Sequence, residues 1–222
     1  MSLSTRMTDR LMQLRTVLAA RSLDGVIIPR FDPFQGEVVA PHDERLAYVT
    51  GFTGSAGIAL VTQDRAVLFV DGRYQVQVKA EVDPSAFEIA HFFDFPIDQW
   101  LRQNAPAGST FAINAGLVPG DLFDRIDAAL DGVGATLQAI DDDLVDEIWT
   151  DQPPPPLGPI TAFPVSVAGE ASQDKRRRIA SQLAAAGVDL LAETQPDNIA
   201  WLLNVRGSDV PRTPLPHSTL IL

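Results

Sequence analysis

Cysteine is absent from the 222 residues, which excludes a disulfide framework, a thiolate nucleophile and any sulfur-bound metal. Histidine is scarce. His42, His91 and His217 each stand alone, with no carboxylate–histidine spacing that would build a dinuclear metal centre. No run approaches the ~18 consecutive apolar residues of a membrane span, and the N-terminus lacks the apolar stretch of a signal peptide. A cytoplasmic protein with no membrane partner is expected. Positive charge is also short: 17 basic residues against 29 acidic ones give a net charge of −12. The one basic run, Lys175 to Arg178, lies among acidic neighbours and reads as the solvated first turns of a helix. That balance argues against nucleic acid as a partner.

What is present is ordinary globular material, 45% hydrophobic and 21% charged, in a length that suits one large domain or two small ones. Leu11, Leu14 and Leu18 recur at helical spacing and predict a helix over 9–21, with Thr8 or Asp9 to cap it. Val26–Ile28 reads as a buried strand. Residues 30–41 read as loop and 43–50 as a short helix. Ile58–Val61 and Ala66–Val70, joined by Thr62–Arg65, read as a hairpin. A helix after Gly72, a strand at 87–90, a helix at 97–104 and a strand at 111–113 follow. Then come a helix at 121–130, a strand at 136–140 and a short helix at 144–149. This alternation predicts an α/β fold, a mixed β-sheet flanked by helices.

Pro153–Pro156, with Gly158-Pro159 behind it, reads as a semi-rigid polyproline spacer. The expected organisation is therefore a complete domain over 1–152, a linker over 153–159 and a further domain over 160–222. Beyond the linker the pattern restarts. Leu46–Ser55 lies over Ile199–Ser208 at a constant offset of 153 residues, Tyr48 falling on Trp201. Upstream, Leu23-Asp24 corresponds to Val188-Asp189. Helix, strand, aromatic-bearing helix and Gly-Ser bend come in the same order in both halves, which indicates duplication. The second copy reaches Thr219–Leu222, equivalent to the strand at 58–61, so an incomplete second copy is expected.

Three stretches carry a resemblance. They are Gly51–Gly57 followed by Val70-Asp71-Gly72-Arg73-Tyr74, then Leu144–Asp151, and in the second copy Asp197–Asp209. Together they resemble the N-terminal region of the long, three-domain Xaa-Pro aminopeptidases (aminopeptidase P). The resemblance implies the creatinase/prolidase N-terminal fold in each copy. It also implies a hydrolase, a metallopeptidase whose catalysis belongs to a C-terminal "pita-bread" domain absent from this chain. In that domain two Asp, one His and two Glu hold two divalent metals, usually manganese, against the Xaa-Pro bond. No catalytic residue and no metal ligand is placed in this chain, which alone is expected to be inactive and to carry no cofactor. The partners implied are short peptides with proline second and a second copy of the chain, as a homodimer. The role implied is substrate gating and dimer contact. The alternative is a non-catalytic, histone-chaperone-like binding module of the same wider family.

One residue is singled out for substrate binding. Arg73 occupies the position whose arginine reaches the bound peptide in the family, and its planar fork of donors suits a carbonyl or carboxylate. The plainer expectation is a surface pairing with Asp71 or Glu81. Gly72 is expected to supply a positive φ. Asp141–Asp143 read as a helix N-cap rather than a cation site. Tyr48, Phe52 and Trp201 are expected in the core.

Overall fold

The computed structural model describes residues 3–222, with side chains from Arg6 onward. The chain divides into two compact units: Met1–Pro33 with Glu44–Gln152, and Phe34–Asp43 with Pro153–Leu222. Each is described separately.

In the first unit, helix α1 (Leu3–Ala20) leads into β1 (Gly25–Pro29), then α2 (Arg45–Thr50), β2 (Gly57–Thr62) and β3 (Ala66–Val70). There follow α3 (Gln77–Glu81), β4 (Glu88–His91), α4 (Ile97–Asn104), β5 (Thr110–Asn114), α5 (Gly120–Asp131) and β6 (Thr136–Ile140). Among the described residues, six strands form one sheet in the order β4-β3-β2-β1-β5-β6. β2 runs antiparallel to both β1 and β3, whereas β3–β4, β1–β5 and β5–β6 are parallel. Only β2 is therefore reversed, and the other five strands end at the same edge. The chain works outward from β1 to β4 and then crosses back through α4 to β5 on the far side of β1. The topological switch thus lies between β1 and β5.

The central strands β1, β2, β3 and β5 are buried on both faces, which is why they read as unbroken apolar runs. Alternate residues part to opposite sides. Val26, Ile28, Ala59 and Val61 join Leu11, Leu14 and Leu18 of α1 in one core. Ile27, Ile58 and Leu60 join Trp100 and Leu101 of α4 and Ile126 and Leu130 of α5 in the other. Each fully buried leucine contributes about 1.5–3 kcal/mol through removal from water, so both helical layers are needed to hold the sheet.

Four local expectations need correction. Helix α1 starts well before Thr8 and Asp9, so neither caps it. Gly72 is not among the residues with positive φ, and a Cβ there would meet only the Gln75 amide at 3.9 Å. Residues 144–148 form successive turns rather than a helix. There the bonds Asp146 N–H to Asp143 O and Ile148 N–H to Val145 O span three residues. Asp143 accordingly caps a turn through Val145 N–H (2.9 Å) rather than a helix N-terminus.

In the second unit the chain forms β7 (Thr161–Ala162), α6 (Val165–Ala168), α7 (Ser172–Ala185) and β8 (Ala192–Glu193). It continues through α8 (Pro196–Leu203), β9 (Val205–Arg206) and β10 (Leu220–Ile221). β8 pairs antiparallel with β10, and β7 with β9. The proline run lacks regular structure but is tethered inside this unit. His42 Nδ1 donates to Pro153 O (2.7 Å), and Gly158 N–H donates to Asp209 Oδ1 (2.7 Å). Phe34, from the stretch expected to be a plain loop, stacks on His217 with ring centroids 4.3 Å apart.

The duplication is visible atom by atom. Helix α2 ends on Gly51 (φ 77°) and α8 on Asn204 (φ 51°), both left-handed and one repeat apart. In the first unit Arg10 of α1 donates to Tyr48 O and lies 3.8 Å from the Tyr48 ring centroid. In the second, Lys175 of α7 donates to Trp201 O (2.9 Å) and lies 4.5 Å from the Trp201 ring. Two expectations fall here. Lys175 is 2% exposed rather than solvated, because its ammonium also meets Asn204 Oδ1 at 2.8 Å. Trp201, 46% exposed, lies outside the core and acts as a lid over that ammonium. Charge-assisted hydrogen bonds of this kind are worth ~1.5–3 kcal/mol each. Lys175→Met should therefore destabilise the α7–α8 pair by roughly 2–4 kcal/mol, read as faster amide hydrogen exchange in α8. Unchanged exchange would mean that the ammonium does not tie the two helices.

Candidate functional site

The candidate residues lie at the edge where five strands end, the place where open α/β sheets present ligand-binding groups. They are set there by the bend that follows α2. Thr50 Oγ1 donates to Leu46 O (2.7 Å) and accepts from Phe52 N–H (3.0 Å), which turns Phe52 into the core at 0% exposure. Thr53 N–H and Thr53 Oγ1 donate to the Glu81 carboxylate (2.8 and 2.7 Å). Ser55 Oγ lies 2.7 Å from Tyr74 Oη, and that contact lowers the Tyr74 phenol from its usual range. Gly54 permits the approach, since a Cβ there would run into the Phe52 and Tyr74 rings. The stretches 51–57 and 70–74 are thereby locked into one surface.

Arg73 sits on a single turn of 3-10 helix directly after β3. Asp71 Oδ1 accepts both Arg73 N–H (2.9 Å) and Arg73 Nε (2.8 Å). These two bonds, the backbone one first, hold the Asp71 carboxyl below the usual carboxylate range. The expected pairing with Asp71 is thus present, whereas Glu81 is committed to Thr53 and Gln77. The Arg73 side chain remains 64% exposed. Asp71 thus fixes Nε while the guanidinium stays at the surface, a geometry chemically able to meet an anion or a carbonyl.

The stretch 144–151 packs elsewhere, against α2. Arg45 makes two 2.8 Å bonds to the Asp146 carboxylate, Tyr48 Oη donates to Ile148 O (3.0 Å), and the Tyr48 and Trp149 rings stack at 4.6 Å. Arg45, which sequence reasoning passed over, is the cation of this corner. It also lies 3.7 Å from Asp143. Of the acidic run only Asp143 has a largely buried side chain, 8% exposed; with Asp141 and Asp142 it borders a cavity of about 660 Å³. The histidines are dispersed, and among the described residues no grouping of three or more His, Asp or Glu could hold a metal ion. The described residues do not fit a dinuclear centre.

Burial raises the Asp143 pKa, opposed by Arg45 and by the Val145 N–H. An acid whose folded pKa lies above its unfolded value contributes stability that is present below the unfolded pKa and lost as pH rises through the folded one. Asp143→Asn keeps the acceptor for Val145 but cannot ionise. The stability of the parent minus that of this variant should fall from about pH 3 to pH 7, measured by urea midpoints. A difference that rises over this range would show that Arg45 outweighs burial.

A mixed sheet with helices on both faces, the Arg73 turn after β3 and the same helix-bend unit repeated downstream define a duplicated α/β architecture. Residues 10–148 match the family model of the creatinase/prolidase N-terminal domain, and residues 151–222 match a second model of the same description. The chain belongs to the creatinase/prolidase N-terminal domain family. It is 32% identical over 218 residues to aminopeptidase P1 of Arabidopsis thaliana, covering 97% of this chain and 34% of the relative. It is 34% identical over 223 residues to human Xaa-Pro aminopeptidase 2, covering 97% and 32%. The X-prolyl aminopeptidase of Caenorhabditis elegans, described as a cytosolic enzyme with a di-nuclear active site, superposes with a TM-score of 0.91 at 28% identity. That match covers 97% of this chain and 37% of the other. The resemblance to Xaa-Pro aminopeptidases read from the motifs is borne out, and the chain spans about a third of these relatives' length. Among the described residues no helix is long and apolar enough to cross a membrane.

Proposed function

We propose that this chain is the non-catalytic front portion of a cytoplasmic, metal-dependent Xaa-Pro aminopeptidase, a hydrolase removing the N-terminal residue from peptides with proline second. The observation that carries this reading is the match of both halves, in order, to creatinase/prolidase N-terminal domain models, together with the likeness to about a third of the length of such an enzyme. Residues 1–33 with 44–152 act as one domain, and residues 34–43 with the proline run and 160–222 as a second. The bond-breaking metals, manganese by family resemblance, belong to a catalytic domain outside these residues. When bound there, such a pair supplies an activated water. No step of that chemistry runs through this chain.

This chain contributes access and orientation. Arg73, steered by Asp71, holds a carbonyl or the terminal carboxylate of a short peptide, and the repeated units wall the approach and supply homodimer contacts. In the polypeptide that includes the catalytic domain, Arg73→Ala should raise KM for an Xaa-Pro tripeptide about tenfold with a smaller change in kcat, and Arg73→Lys should recover part of it. Kinetics unchanged in both variants would remove Arg73 from the substrate site. The 222-residue chain alone, given manganese and the same peptide, should release no amino acid. Release above the blank would overturn the division of labour.

A further inference from the structure

The first unit holds a second cavity at its functional edge that the peptidase reading does not use. It has a volume of about 460 Å³ and lies among Arg30 and Phe31 after β1, residues 55–58 at the start of β2, Phe92 and Phe93 after β4, and the facing ends of α4 and α5. That volume falls within the ~300–1,000 Å³ typical of small-molecule sites. Its position, beside the switch between β1 and β5, is where open α/β sheets bind ligands.

The lining has a definite chemistry. Phe31, Phe92, Ile97 and Leu122 form an apolar wall. Phe93 stands at 84% exposure, a large aromatic surface left to water. Two guanidinium groups border the same space: Arg30, 7% exposed and 3.6 Å from the Glu44 carboxylate, and Arg125 on the exposed face of α5. The one carboxylate in the lining, Asp98, is already bonded to Arg102 at 2.8 Å. Among the described residues Arg125 makes no ion pair. With Arg30 and Asp98 both paired, Arg125 is the cation left to a ligand in this chain of net charge −12, and an apolar cavity beside one such guanidinium suits an apolar body bearing a single negative charge.

We infer that this cavity binds small amphipathic carboxylates, of the kind presented by the free C-terminus of a peptide ending in a bulky apolar residue. The apolar side chain lies along Phe92, Ile97 and Leu122, under Phe93, and Arg125 takes the carboxylate. The inference is independent of the role given to Arg73, and no metal enters it.

The test uses the 222-residue chain itself, titrated with N-acetylphenylalanine and with N-acetylphenylalaninamide and followed by amide chemical shifts. The expected result is saturable binding of the acid, with shifts centred on residues 92–98 and 122–126, and binding of the amide about tenfold weaker. Arg125→Gln should bring the acid to the level of the amide. Arg125 is exposed, so folding is not at risk, and Arg125→Lys should retain part of the preference. Equal affinity for acid and amide would overturn the proposal. So would an unaltered acid affinity in Arg125→Gln, equal competition by inorganic phosphate, shifts centred on Arg73, or no saturation by about 10 mM.

Discussion

The left-handed residue that closes α2 is the constraint on which the functional edge depends. A helix must give its last carbonyls other donors and turn the chain away. Gly51 does this with φ of 77°, and a side chain there would collide with Met7. The reversal sends Phe52 inward, Thr53 to Glu81 and Ser55 to Tyr74. Tyr74 in turn belongs to the turn that carries Arg73. The position of one exposed guanidinium therefore follows from a backbone angle more than twenty residues earlier.

The same device recurs in the second unit with different chemistry. Asn204 replaces glycine at the left-handed cap, which asparagine tolerates better than most residues. Its side chain is then put to use: Oδ1 accepts from Lys175, and Nδ2 donates to Glu170 O at 2.9 Å. Arg10 with Tyr48 and Lys175 with Trp201 show what duplication retained: a cation from the preceding helix, placed on a carbonyl of the last turn and over an aromatic ring. A cation is favourable at that helix end because the free carbonyls concentrate negative charge there.

Two-faced burial explains why chemistry is confined to one edge. Helices cover both sides of the central strands, so from these strands polar side chains reach solvent mainly where the strands end. With β2 alone reversed, five strand ends and their loops converge, and the Arg73 turn, the Arg45 corner and the apolar cavity all lie along that line.

The α/β alternation, the strands at 66–70 and 136–140, the helix at 97–104 and the internal repeat were legible in the residues alone, because burial periodicity and backbone preference are local properties. The family followed from the same stretches, since turns such as Gly51–Gly57 need particular residues to exist at all. Other features had no local signature. The solvated appearance of Lys175, the core-like appearance of Trp201 and the helix-like spacing of 144–149 were each overruled by partners far along the chain. An ammonium is buried when two acceptors from a distant helix end meet it, and a carboxylate such as Asp143 resists ionisation when folding removes its water. Sequence by itself determined the elements, their order and their duplication. Only tertiary structure decided which charges are buried, which face each other and where the strand ends leave a cavity, because those depend on distances that no sequence spacing encodes.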